Sequence, residues 1–285
     1  MPAKTFVNHN GEILSADQPV LMAGNRAFRY GDGLFETIRL MHGDILFFAK
    51  HLDRLKKGMN LLGMKWREDF TFHNLYLLIR HLDQMNELKG NGRIRLQVFR
   101  NEGGRYTPSS SEVSFLIEAE PLIPVDYQLN EIPLRIDVYT EIEKSKNKFS
   151  NIKSSNSLIY IMAGIYKEKQ GLDDCIILNN TGKICEAIGA NIFLVSKDEL
   201  LTPALGEACI QGIMREHLIE LLKQRGKKIQ EVSITMDHVM KADEVFLTNV
   251  IDGIRWVGAF GQKRYFNATS KWLFSELNEE LLKKV

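Results

Sequence analysis

A lysine where a polar loop meets an apolar helical run has the makings of a nucleophilic amine. Lys153 stands in such a place, in "FSNIKSSNSLIY", among small polar residues. A lysine amine attacks a carbonyl to form a Schiff base when burial or a nearby cation lowers its pKa. Alone the position says little, since most lysines are solvated. Glu186, in "GKICEAIGANIF", precedes a strand and has small, apolar neighbours. A carboxylate in those surroundings needs a cation or an N–H group to stay charged; the plainer role is a helix or turn cap. Arg54 follows His51 by three residues in "HLDRL", which sets both on nearly one face of a helix. An arginine held there can fork to a phosphate, although most such arginines are solvated, and His51 reads as a helix-surface or capping residue. In "CIQGIMREHLIELL", Gly212 falls at a helix start, where unpaired N–H groups and the helix dipole suit an anion. The alternative is a glycine that only serves the turn.

Other templates fail. "GDGLFE" lacks the third glycine of a dinucleotide fingerprint, and the chain has no P-loop, H-E-x-x-H or G-x-S-x-G. The seven histidines are scattered, so no metal site is expected. Lys plus Arg total 37 against 36 acidic residues, which leaves no electrostatic footprint for nucleic acid or an acidic membrane. Cys175, Cys185 and Cys209 form no C-x-x-C pair, and a reducing cytoplasm fits. The start, "MPAKTFVNHNGEIL", has no apolar h-region, and no run reaches the roughly 18 apolar residues of a membrane span. A soluble, cytoplasmic protein is the expectation.

The elements that must position these residues are legible in part. "GEILSAD" and "GDILFF" have strand-and-turn character. In "AKHLDRLKKGMNLLG", Leu52, Leu55, Met59 and Leu62 recur at helical spacing, with Gly63 as the stop. A second helix is predicted over "FHNLYLLIRHLDQM", then strands "RIRLQVFR" and "VSFLIEAE" joined by "NEGGRYTPSSS". "EPLIPVDYQLNEIP" is rich in proline and reads as a connection between domains. Beyond it come strand "LRIDVYT", a polar loop, the helix after Lys153, strand "DCIILNN", a turn at "NTGK", and "ANIFLV". A helix from about Met214 to Gln224, strand "EVFLTNV" and helix "SKWLFSELNEELLKK" complete the chain. With 285 residues, 44% of them hydrophobic, the chain can bury one large core or two modest ones. Two mixed α/β domains are expected, an N-terminal one over 1–122 and a C-terminal one over 132–285 that carries the lysine, with a linker at 123–131.

Taken in order, "NRAFRYGDGLFETIR", "HLDRL", "IKSSNSL", "EAIGANIF", "QGIMRE" and "ADEVFLTN" resemble the class IV aminotransferase family nearly end to end. The resemblance implies a mixed α/β, two-domain, fold-type IV architecture of the D-amino acid aminotransferase-like kind, pyridoxal 5'-phosphate as cofactor, and a homodimer. It assigns Lys153 the Schiff base with the cofactor and the proton shuttle, and Glu186 the pyridinium nitrogen. Arg54 and the backbone N–H groups of Ile213 and Met214, after Gly212, would hold the phosphate. Thr248 and Asn249 match the family's second phosphate-binding stretch, and Ile210 the residue packed on the ring.

Within the family the motifs divide. Branched-chain enzymes carry a tyrosine five residues after the lysine; this chain has Leu158, and it carries Asn156, as lyases and D-amino acid enzymes do. D-amino acid enzymes use a tyrosine where Phe35 stands, and Glu102 replaces the histidine of their carboxylate trap beside Arg100. "LFETIR", "FRNEGGRY" and "GIMRE" look most like aminodeoxychorismate lyases, whereas Arg39 and Arg95 match arginines of branched-chain enzymes. A lyase that forms 4-aminobenzoate and pyruvate is therefore expected ahead of an amino acid transaminase. Phe35, Arg39, Arg95 and Arg100 would meet a small amino substrate bearing a carboxylate. A non-catalytic protein on the same fold would be expected to lack the lysine or the carboxylate, and both are present.

Overall fold

A computed structural model describes residues 5–123, 125–197 and 199–282. Pro124 of the expected connection, and the two lysines after Leu282 in the expected last helix, lie outside the described residues. Internal contacts divide the chain into two compact units: Met1–Asp126 with Ile152–Asn156, and Tyr127–Asn151 with Ser157–Val285. The division falls inside the 123–131 stretch. The segment with Lys153 is counted with the first unit, whereas the sequence put it in 132–285; the reason is main-chain pairing to a strand of that unit.

The first unit is built on a six-stranded antiparallel sheet. Its elements are β1 (Phe6–His9), β2 (Glu12–Ser15), α1 (Arg26–Tyr30), β3 (Gly33–Met41), β4 (Asp44–Ile45), α2 (Phe48–Leu61), α3 (Phe72–Met85), β5 (Gly92–Arg100) and β6 (Val113–Pro121). The strand order is β2-β1-β6-β5-β3-β4. In β5 the period-two alternation sends Ile94, Leu96 and Val98 to a buried face, where they join Leu55 and Met59 of α2 and Leu75, Ile79 and Leu82 of α3. Arg93, Arg95 and Gln97 fall on the opposite face, in register with Arg39, Thr37 and Phe35 of β3. Helix α2 lies close on β3: a Cβ on Gly58 would come 2.9 Å from Leu34 Cδ1. The expected strand "GDILFF" is shorter than its apolar run, because Phe48 already begins α2.

The second unit has a nine-stranded mixed sheet. It comprises β7 (Leu134–Lys144), α4 (Leu158–Gln170), β8 (Asp174–Asn179), β9 (Ile184–Ala187), β10 (Asn191–Ser196), β11 (Glu199–Pro203), a short 3-10 turn at Leu205–Glu207, α5 (Ile213–Gln224), β12 (Lys228–Val232), α6 (Met236–Lys241), β13 (Glu244–Asn249), β14 (Gly253–Phe260), β15 (Lys263–Arg264) and α7 (Ala268–Leu282). Its order is β12-β11-β10-β13-β14-β7-β8-β9, with β15 on β14. Ile176, Ile192, Leu194, Val245, Leu247 and Val257 make the core of this unit. Strand β7 runs on through "EIEK", expected as the start of a polar loop, and so delivers Lys144 to the sheet at a register shift opposite β8.

Candidate active site

In the first unit a buried carboxylate organises a polar cluster. Glu36 lies on the α2 side of β3 and is 1% exposed. His51 Nδ1 is 2.6 Å from its Oε2. Arg54 donates from Nε to Oε1 at 2.9 Å and from Nη2 to Oε2. The three-residue spacing of His51 and Arg54 aims both at the same group. Burial pushes the Glu36 carboxyl up, but the Arg54 charge and the His51 and Arg54 hydrogen bonds outweigh it and hold it down at about 2. Burial pulls His51 down against the pull of Glu36, so the ring is neutral. An ionised carboxylate only accepts, hence Nδ1 carries the hydrogen and Nε2 is a bare, buried acceptor without a partner among the described residues. His51 is therefore no surface or capping residue. Its burial follows from a carboxylate that arrives from a strand, which periodicity along the helix could not reveal.

The opposite face of β3 presents Phe35. The Nζ of Lys153 lies 4.5 Å from its ring centroid, and the guanidinium carbon of Arg95 lies 3.9 Å from it. The lysine is fixed by main chain. Phe35 N–H donates to Lys153 O at 2.9 Å, Ser155 N–H donates to Gly33 O at 2.9 Å, and Leu34 and Ser154 form a bridge. A Cβ on Gly33 would come 2.8 Å from Val98 O and 2.9 Å from Ser155 Oγ, so the close approach requires glycine. Gln97, absent from the sequence-based candidates, accepts from Arg95 Nη2 at 2.6 Å and donates to Ser155 Oγ at 2.8 Å. Asn156 donates to Gly31 O.

The other two candidate arginines are buried, Arg39 on the Phe35 face of β3 and Arg100 at the end of β5. Arg100 is buried and donates to Asp32 Oδ2, Gly63 O and Leu62 O, which ties down the carbonyls at the end of α2. Arg39 is buried and donates from Nη2 to Val125 O at 2.6 Å. The expectation that Arg100 holds a substrate carboxylate gives way to this capping role, because its fork is already placed on structural acceptors.

In the second unit Glu186, 3% exposed, lies within β9 rather than before a strand. Its Oε1 accepts from Lys144 Nζ at 2.6 Å and from Tyr160 OH at 2.8 Å. Its Oε2 accepts from the Ile210 N–H at 2.8 Å. A carboxylate has about four lone-pair positions, so the three donors among the described residues leave one open acceptor, on Oε2. Lys144 and Tyr160 were not candidates from sequence. Tyr160 follows Lys153 by seven residues, on the first turn of α4, but Lys144 sits in a charged run that reads as solvated.

The start of α5 follows from Ile210. Asn191 donates to Ile210 O at 3.0 Å, and its Oδ1 occupies the space that any side chain at Gly212 would need. Gly212 is the N-cap, and no side chain caps the helix. The N–H groups of Ile213 and Met214 thus begin a helix whose dipole favours an anion. Strand pairing sets Thr248 opposite Asn191. Thr248 is 2% exposed, and its Oγ1 is buried without a hydrogen-bond partner among the described residues. The Asn249 side chain, in contrast, is engaged in its own turn with Ile251 and Asp252.

A mixed α/β fold of the fold-type IV kind, with these clusters, defines a class, and comparison with known proteins gives the family. The model for amino-transferase class IV matches residues 33–260. The aminodeoxychorismate lyase of Vibrio harveyi is 24% identical over 233 residues, which cover 81% of this chain and 84% of that protein. The D-alanine aminotransferase of Bacillus licheniformis is 23% identical, with 84% and 83% covered. The branched-chain aminotransferase of Thermoproteus uzoniensis superposes with a TM-score of 0.86 at 22% identity, over 98% of this chain and 95% of that one. The chain belongs to the class IV aminotransferase family and is an enzyme.

Proposed function

We propose that the enzyme uses pyridoxal 5'-phosphate and acts as an aminodeoxychorismate lyase, which releases pyruvate from 4-amino-4-deoxychorismate and leaves 4-aminobenzoate. The observation that carries the cofactor reading is the anion cradle of the second unit: a helix start and a buried Thr248 hydroxyl that, among the described residues, have no side-chain cap and no hydrogen-bond partner. The residues fit the group. Ile213 and Met214 N–H and Thr248 Oγ1 of the second unit would hold the phosphate; Arg54, whose guanidinium Glu36 orients within the first unit, is the arginine that the family resemblance assigns to the same group. Glu186 would accept the ring N–H at its open position, beside Ile210. Asn249 would contribute through main chain only, since its side chain serves the turn.

The bound cofactor supplies an electron sink for cleavage at the carbon that bears the substrate amine. Lys153 takes the proton from that carbon, the bond from the ring to the pyruvyl oxygen breaks, and Lys153 returns a proton to the departing group. Arg95, half-buried and stacked on Phe35, holds a substrate carboxylate, and Gln97 keeps its guanidinium in place. Arg39 is kept as a second carboxylate contact.

Leu158 supports the lyase over a branched-chain-like transaminase: where such a transaminase has a tyrosine, this side chain is apolar and 76% exposed. In the transaminase alternative, favoured by Arg39 and Arg95, Lys153 would instead return its proton to C4′ of the cofactor. Pyruvate release from 4-amino-4-deoxychorismate, measured beside 2-oxoglutarate-dependent amine transfer, separates them. The lyase reading fails if only the second proceeds. Lys153→Ala lowers whichever rate is found about a thousandfold or more.

We also place the enzyme in the cytoplasm, where three buried free cysteines stay reduced, and assign it a homodimer. Leu158, Ile161, Met162 and Ile165 form an exposed apolar stripe at helical spacing on α4, which supports a second copy as its cover. A monomer mass by light scattering would remove that assignment.

A further inference from the structure

The donors around Glu186 form a closed set. Lys144 Nζ has three hydrogens and three acceptors: Glu186 Oε1 at 2.6 Å, Tyr160 OH at 2.8 Å and Ser150 O at 3.1 Å. Tyr160 accepts from the lysine and passes its own hydrogen to the same Oε1. Burial, with the Glu186 charge next, pushes the Tyr160 phenol far up, so it remains a donor. The cation therefore sits on the Oε1 side of the carboxylate, and the open acceptor lies on Oε2. The side chains of the pair are 12% and 4% exposed, so water screens it weakly.

We infer that Lys144 and Tyr160 are positioning residues that hold Glu186 as an anion and so commit the proton it shares with the cofactor's ring nitrogen to the ring. This rests on Glu186 being the ring's partner, as proposed above. The shared proton has two seats, on Oε2 or on the nitrogen. Coulomb attraction falls with distance. Lys144 touches the carboxylate, whereas a cation beyond Oε2 is farther from it. Lys144 therefore stabilises the carboxylate anion more than it opposes the ring cation. Without it, a carboxylate this buried would take the proton to escape desolvation, and the ring would lose its strength as an electron sink. Tyr160 adds a neutral donor to the same oxygen and fixes which oxygen faces outward.

The test is the 15N chemical shift of holoenzyme reconstituted with cofactor labelled at the ring nitrogen, read at neutral pH. In the unaltered enzyme the shift lies at the pyridinium end of the range. Lys144→Met moves it most of the way toward neutral pyridine, Tyr160→Phe moves it partway, and Lys144→Arg keeps it near the starting value. Lys144→Gln, which retains a donor without the charge, follows the methionine variant and replaces it should that one fail to fold. Glu186→Gln is the control on the underlying assignment. If it leaves the shift in place, Glu186 is not the ring's partner and the assignment falls. If it moves the shift while Lys144→Met and Lys144→Gln do not, the assignment stands and the role of Lys144 is overturned.

Discussion

Two buried carboxylates, one in each unit, are held by the same kinds of partner for opposite ends. Glu36 takes the Arg54 fork and the His51 hydrogen; Glu186 takes Lys144, Tyr160 and a main-chain N–H. In the function proposed above, the carboxylate of the first cluster is the support and the cation the working group, and in the second cluster these roles are exchanged. Cation type follows from the task. The planar arginine fork can grip Glu36 along one edge and still reach for a phosphate, while the compact lysine ammonium ends on its three acceptors. A buried ion pair thus does not announce which member is functional.

The comparison breaks most visibly at Glu36. Glu36→Ala leaves Arg54 charged and His51 unpartnered in a dry site, and it should cost about 3–5 kcal/mol of stability in urea denaturation, with weakened cofactor retention. A loss under about 1 kcal/mol would mean that Arg54 finds other acceptors and that Glu36 is not its support. The unaltered enzyme shows the same dependence through pH. Glu36 sits at about 2 in the fold against an ordinary 4.5, so its contribution is complete above 4.5 and is lost as pH falls toward 2. That contribution is on the order of 3 kcal/mol. His51, also depressed, acts with the same sign from a higher start: its contribution is complete above 6.5 and declines as pH falls below it. Stability should therefore fall on acidification from 6.5 downward, and most steeply below 4.5. In Glu36→Ala the steep limb disappears.

Much of the molecule was legible before its structure, and the failures have a common cause. The helix over Phe48–Leu61 followed from Leu52, Leu55 and Met59, because one face of it meets the sheet. The α5 start followed from Gly212, and the family from the order of motifs. Strand β3 escaped, since buried Glu36 and Arg39 interrupt the hydrophobic pattern that a strand reading relies on. Lys144 escaped for the same reason in reverse: "EIEKSKNK" has the composition of a solvated loop, and the partner that buries it lies 42 residues on. Arg100 looked like a ligand because composition cannot tell a fork aimed at substrate from one that closes α2. Pairwise polar burial across long sequence separation leaves almost no local trace.

The smallest effect is the sharpest on what an open position means. Thr248 Oγ1 is a buried hydroxyl without a partner among the described residues, and such a group costs a fold about 1–3 kcal/mol. Thr248→Val keeps the shape and removes the unmet hydroxyl. In the cofactor-free enzyme the variant should be as stable as the unaltered one or more so, by a fraction of that amount, in thermal melts. With cofactor the sign reverses: the lost hydrogen bond to a charged phosphate is worth about 1.5–3 kcal/mol, or roughly 10- to 100-fold in dissociation constant by fluorescence titration. A valine variant that binds cofactor as tightly as before would show the hydroxyl to be an unmet structural cost. The opposed signs separate the cradle from Glu36, whose loss weakens the fold and the cofactor together.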